Sequence, residues 1–112
     1  MSSDEKSKEI GEILKFVASS PIFSSSIRLT ILLALAGFKE INFTDLQKAL
    51  EVNKSTLSIN LKVLESEGVI QIKYKIDRNR PKQIIIITEK GKEITEKYLS
   101  MLEKYKNFLT NL

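Results

Sequence analysis

The 112-residue chain contains no cysteine, no histidine and no tryptophan. The missing cysteine and histidine rule out disulfides, thiolate nucleophiles, imidazole-assisted catalysis and a structural zinc site. A metal could be held only by carboxylates. Glycine occurs four times and proline twice, so there is no glycine-rich phosphate loop and little low-complexity linker. Long apolar runs are also missing. The longest spans residues 31–38, with Leu29 just before it, and falls well short of the roughly 20 residues that cross a bilayer. Residues 1–12 are polar and acidic, without the apolar core of a secretion signal. These absences lead us to expect a soluble cytoplasmic protein, not an enzyme, with no membrane association and no cofactor.

With 42% hydrophobic and 29% charged residues, the chain is expected to form one globular domain over residues 1–112. Its net charge of +4 is modest but unevenly distributed. Residues 1–68 carry 8 basic and 9 acidic groups, residues 69–92 carry 7 and 2, and residues 93–112 carry 3 of each. The whole surplus thus falls in one short stretch, which acts either as a solvated face or as an arm that touches phosphates.

Periodicity divides the chain into elements. Ile10, Ile13, Leu14 and Val17 form one apolar stripe, predicting a helix over residues 4–19 that ends at Ser19-Ser20-Pro21. A mostly apolar helix follows from residue 24 or 25 to 36, with Ile27, Ile31, Leu32, Leu33 and Leu35 as its core and Gly37 as its stop. Ile41 begins a short extended piece. Asn42 and Asp45 have the spacing of a capping box for a helix over 43–50, which turns Leu46, Ala49 and Leu50 inward. Residues 51–53 make a tight turn. Asn53 caps a helix over 54–67, and Gly68 closes it.

Beyond Gly68 the period changes to two. Ile70, Ile72, Tyr74 and Ile76 alternate with Gln71, Lys73 and Lys75, as in a half-buried strand. Residues 77–81 read as a loop, and residues 82–88, with four successive isoleucines, as the returning strand of a hairpin. Thr88 caps a last helix running to about residue 109.

Two short helices joined by a tight turn and followed by a basic hairpin make a helix-turn-helix with a wing. The stretches Ile27–Leu32, Phe43–Leu46, Leu57–Ile70 and Thr88–Gly91 resemble the winged helix-turn-helix regulators of the MarR and ArsR neighbourhood, and most of all small archaeal-type members that dimerise through their terminal helices. The resemblance covers about two-thirds of the chain, and its most specific part is residues 57–70. It implies an α+β, mostly helical fold: an N-terminal helix (1–20), a helix-turn-helix and wing (24–88) and a C-terminal dimerisation helix (89–112). It also implies a sequence-specific regulator of transcription. Two departures stand out. Glu51 takes a place where the family often has glycine, so the turn is expected to be built differently. Asn60 replaces a histidine frequent in ArsR-type members, and without cysteine or histidine a soft-metal sensor is not expected.

In the helix over 54–67, Leu57, Leu61 and Leu64 share one face and must point to the core. The rest of its surface carries Lys54, Ser55, Thr56, Ser58, Ile59, Asn60 and Lys62. These groups suit a major groove, where asparagine pairs with adenine and lysine with guanine or phosphate. Ser55 and Thr56 otherwise serve the first helical turn. Ile59 either touches a thymine methyl or is half-buried. Asn60 has no evident capping role, which favours DNA contact. Arg78, Asn79, Arg80 and Lys82 crowd the hairpin tip, with Lys73 and Lys75 along the strand leading to it; together they suit phosphates or a minor groove. Arg28 pairs either with phosphate or with a carboxylate at the core edge.

Along the last helix, Ile94, Tyr98, Met101, Tyr105, Phe108 and Leu112 follow heptad spacing, widened by Leu102 and Leu109. With Ile10, Ile13, Leu14 and Val17 they form the expected homodimer interface, which would present two recognition helices to an inverted-repeat site in double-stranded DNA. A winged-helix module that binds another protein and a non-specific architectural DNA-binding protein are the alternatives. No residue pattern demands a small-molecule effector.

Overall fold

The computed structural model describes residues 3–111. Five helices and three strands follow in the order α1 (Ser3–Ser19), α2 (Ser26–Phe38), β1 (Glu40–Asn42), α3 (Phe43–Leu50), α4 (Lys54–Ser66), β2 (Ile70–Asp77), β3 (Arg80–Ile87) and α5 (Glu89–Thr110). The strands form one antiparallel sheet in the order β1-β3-β2. The fold is therefore α+β and mostly helical.

Side-chain caps set most boundaries. Ser25 Oγ accepts from Arg28 N, Asn42 Oδ1 from Asp45 N (2.8 Å), Asn53 Oδ1 from Thr56 N (2.7 Å) and Thr88 Oγ1 from Gly91 N (3.0 Å). Each satisfies a first-turn amide that the helix itself leaves unpaired. At Asn42 the reciprocal contact is its own side-chain amide donating to Asp45 Oδ2 at 2.8 Å. Gly68 ends α4 with φ +75, its N–H bonded to Glu65 O and that of Val69 to Leu64 O. This is the paired closure that favours glycine.

Gly37 does not end α2. The helix runs through Phe38, and Lys39 turns out with φ 67 while its N–H bonds to Leu35 O at 2.7 Å. The sheet supplies the reason: from that position Lys39 O accepts the amide of Ile87 on β3 at 3.1 Å. Ala49, expected inside, is exposed, and α3 is anchored by Leu46. Between α1 and α2, Ser20 Oγ accepts from the amides of Ile22 and Phe23, and this turn drives both apolar side chains into the core.

The core gathers Ile31, Leu32 and Leu35 of α2, Leu46 of α3, Leu57, Leu61 and Leu64 of α4, and Val69, Ile70, Ile85 and Ile87 of the sheet. The root of the wing and the start of α5 meet tightly. Thr88 Oγ1 donates to Gly68 O (2.7 Å), Thr88 N donates to Val69 O (3.1 Å), and a Cβ on Gly91 would lie 2.2 Å from Val69 O. Thr95, itself buried, bonds back to Gly91 O at 2.7 Å.

The molecule measures 63 × 23 × 22 Å with a radius of gyration of 16.8 Å, against about 13 Å for a compact chain of this size. The 22-residue α5 contributes about 33 Å of that length. Beside it, α1 packs through an aromatic chain. Phe16 tilts on Phe23 (5.6 Å between centroids), and Phe23 stacks on Tyr98 (4.6 Å, 11° between planes). Lys97 lies over Phe16 at 4.7 Å and Lys6 over Phe108 at 5.7 Å.

Candidate nucleic-acid interface

Leu57, Leu61 and Leu64 are buried, and this fixes the rotation of α4. Lys54, Ser55, Ile59 and Lys62 are consequently exposed, while Thr56, Ser58 and Asn60 are half-buried. Ile59 is 63% exposed, so it is not the half-buried residue that the sequence left as one option.

Asn60 has two partners within the chain. Its Oδ1 accepts from Arg28 Nη1 at 3.1 Å and its Nδ2 donates to Thr56 O at 2.8 Å. Each end of the amide thus makes one bond within the chain, which leaves one N–H and one lone pair over. Arg28 likewise takes an amide partner instead of the carboxylate that was one of its two expected roles, and its Nε is buried without a partner. The pair ties α2 to α4. Asn60 thus holds α4 against α2, a contact hidden in the sequence because its partner lies 32 positions away.

The turn ahead of α4 keeps the geometry that glycine would favour. Glu51 takes φ 53, in the left-handed region, so the turn is not built differently. A non-glycine residue accepts that conformation at a cost of about 1–2 kcal/mol.

The wing is tighter than its sequence suggested. Residues 77–81 are not an open loop. Asp77 pairs with Arg80, and Arg78-Asn79 form a two-residue turn with φ 52 and 63. Positive φ at both central positions is the hairpin geometry whose twist matches the strands. Pro81 then lies within β3 opposite Ile76. That pair follows the hydrogen-bonded turn pair, so the missing N–H of proline faces away from β2. β1 reaches β3 only at residues 84–86, and Pro81 disrupts no pairing there.

Lys73, Lys75, Arg78, Asn79, Arg80 and Lys82 are all exposed. Lys82 Nζ lies 2.8 Å from Asp77 Oδ2, and Lys75 Nζ lies 4.0 Å from Glu40 Oε1 across β3. Among the described residues, Lys73, Arg78 and Arg80 have no ion-pair partner, which makes them the cations most available to an external anion. Two residues not chosen from the sequence join this surface. Tyr74 (68% exposed) and Ile76 (82%) continue the inward face of β2 past the helical layer, and Tyr74 Oη accepts from Gln83 Nε2 at 3.0 Å. Lys54 and Ser58 of α4 face Tyr74, Lys82 and Gln83 of the wing across a furrow. The helix and the wing therefore open to one side of the molecule. Phe43 and Thr44 at the start of α3 also line the furrow.

The terminal helices place the expected interface residues unequally. Ile13 is buried, and Ile10, Val17, Tyr98, Met101, Tyr105 and Phe108 are half-buried within the chain. Tyr98 is engaged by Phe23, and Phe108 by Lys6. Leu14, Leu102 and Leu109 are exposed, as is Leu99, which heptad spacing did not select. Leu112 lies outside the described residues. Among the described residues there is no cluster of three or more side chains able to hold a metal ion, and no helix is long and apolar enough to cross a membrane.

A helix-turn-helix whose second helix lies beside a basic two-stranded hairpin defines a winged helix domain. Residues 27–106 match the family described as the winged helix DNA-binding domain, and the chain belongs to that family. It is 33% identical over 100 residues to an HTH-type transcriptional regulator, YdgJ, of Bacillus subtilis, covering 88% of this chain and 59% of that regulator. A transcriptional regulator homologue from Pyrococcus horikoshii superposes with a TM-score of 0.80 at 30% identity, covering 88% of this chain and 97% of its own. MarR superposes with a TM-score of 0.68 over 96% of this chain and 74% of its own; at 22% identity that likeness concerns the fold. The protein is a winged helix DNA-binding domain protein, and the relatives that it resembles at 30% identity or more include regulators of transcription.

Proposed function

We propose that the protein is a homodimeric, sequence-specific regulator that binds double-stranded DNA, with α4 in the major groove and wing residues 77–82 on the backbone or in the minor groove. The observation that carries this proposal is the furrow across which Lys54 and Ser58 of α4 face Tyr74 and Lys82 of the wing, beside a hairpin tip whose exposed Arg78 and Arg80 have no ion-pair partner among the described residues. The helix supplies groups for base edges, and the wing supplies charge for phosphates.

Pairing of two copies rests on the terminal helices. They extend the molecule to 63 Å and leave Leu14, Leu99, Leu102 and Leu109 exposed. A two-fold axis along α1 and α5 would set the two recognition helices about one DNA turn, roughly 34 Å, apart on an inverted repeat.

The test is selection of bound sequences from random duplex DNA at two salt concentrations, with the mass of the free protein measured by light scattering. An inverted repeat, affinity that falls steeply with salt, and twice the chain mass are expected. DNA binding without site preference would mark an architectural protein. No binding even at low salt would mark a module that binds another protein.

A further inference from the structure

Ile59 lies two residues from Leu57 and two from Leu61, about 200° around the helix from each. Both leucines are fully buried, so Ile59 points directly away from the core, at the middle of the outward face of α4. Ser55 and Thr56 lie one turn before it, and Lys62 and Val63 one turn after. A β-branched apolar side chain at this place gains nothing from water and loses rotamer freedom in the helix. Next to it Asn60, the residue best suited to adenine, is tied to Arg28 and Thr56. At the centre of its outward face, therefore, the helix presents an apolar group, beside an amide already held by its neighbours.

The edges of base pairs in the major groove offer donors and acceptors throughout, and in unmodified DNA one apolar group, the C5-methyl of thymine. We propose that Ile59 is a specificity-determining residue whose side chain packs on a thymine C5-methyl in each half-site. This rests on the placement of α4 in the major groove proposed above. Ser55 and Lys62 flank the contact with polar groups, so recognition at this step depends on the methyl group and not on a hydrogen bond.

The experiment uses the full chain and its selected operator, with each thymine replaced in turn by deoxyuridine, which removes the methyl and keeps the pairing. One thymine per half-site is expected at which wild-type binding weakens about fourfold, the worth of one buried methyl group. The same replacement should leave the affinity of Ile59→Ala unchanged. That variant shortens an exposed side chain and installs a better helix former, so it keeps the fold. The contact is overturned if no thymine shows a methyl effect with the wild-type protein, or if Ile59→Ala retains the full effect. Failure of the underlying proposal shows separately: the unsubstituted operator would then not be bound selectively at all, and the contact falls with it.

Discussion

The bond between Asn60 and Arg28 gives the most direct test of how this surface is built. Asn60→Ala removes two hydrogen bonds, one to the guanidinium at 3.1 Å and one to Thr56 O at 2.8 Å. A hydrogen bond to a charged group contributes about 1.5–3 kcal/mol, and the lower end applies because Arg28 is half-buried. Thr56 O keeps its partner within the helix, so its second bond adds only about 0.5 kcal/mol. Alanine returns about 0.5 kcal/mol through higher helix propensity. The net expectation is a loss of about 1.5 kcal/mol, or roughly 6 °C in melting temperature for a chain of this size. Urea unfolding at fixed protein concentration should measure it. Because Arg28 Nε is already unpartnered, Arg28→Met should cost less in the Asn60→Ala background than alone, giving a coupling of about 1 kcal/mol. Additive losses would refute the tie. Unchanged stability with relaxed selectivity at one base pair would show that Asn60 contacts a base.

Other parts of the molecule make equally definite predictions. Gly91→Ala would drive a Cβ to 2.2 Å from Val69 O and 2.8 Å from Ile87 Cγ1, both fixed in the interior. It should cost about 2–3 kcal/mol in chemical denaturation despite the better helix former, and a neutral result would refute the close approach. Glu51→Gly releases a left-handed residue worth about 1–2 kcal/mol while adding unfolded-chain entropy worth about 0.4–1 kcal/mol, so the urea midpoint should rise; a fall would contradict the turn geometry. Replacing Arg78 and Arg80 together by alanine should weaken binding to all duplexes by similar factors. The salt slope, followed by fluorescence anisotropy, should fall by about 0.9 for each phosphate no longer neutralised. An unchanged slope would remove the wing from the interface.

Where a local rule decides the structure, the sequence was sufficient. Asn42, Asn53 and Thr88 cap the helices that their spacing indicated, Gly68 closes α4, and Leu57, Leu61 and Leu64 fix which face of α4 turns outward. Features set by distant contacts could not be seen this way. Gly37 looked like a helix stop, but Lys39 takes that place because its carbonyl meets Ile87. Arg78-Asn79 lacks the glycine that usually marks a two-residue hairpin, and Pro81 suggested a longer loop. Alternation correctly indicated a strand but not where the helical layer ends, so Tyr74 and Ile76 emerged on the surface. Heptad spacing in α5 identified apolar positions without saying which of them its own α1 already covers.

The junction of Gly68, Val69, Thr88 and Gly91 has a mechanical meaning. Two hydrogen bonds and one backbone contact without room for a methyl group weld the base of the hairpin to the base of α5. The hairpin and the long helix thus meet through a packed joint and not through a free linker, so the direction in which α5 leaves the domain and the direction in which the wing leaves it are set at the same four residues.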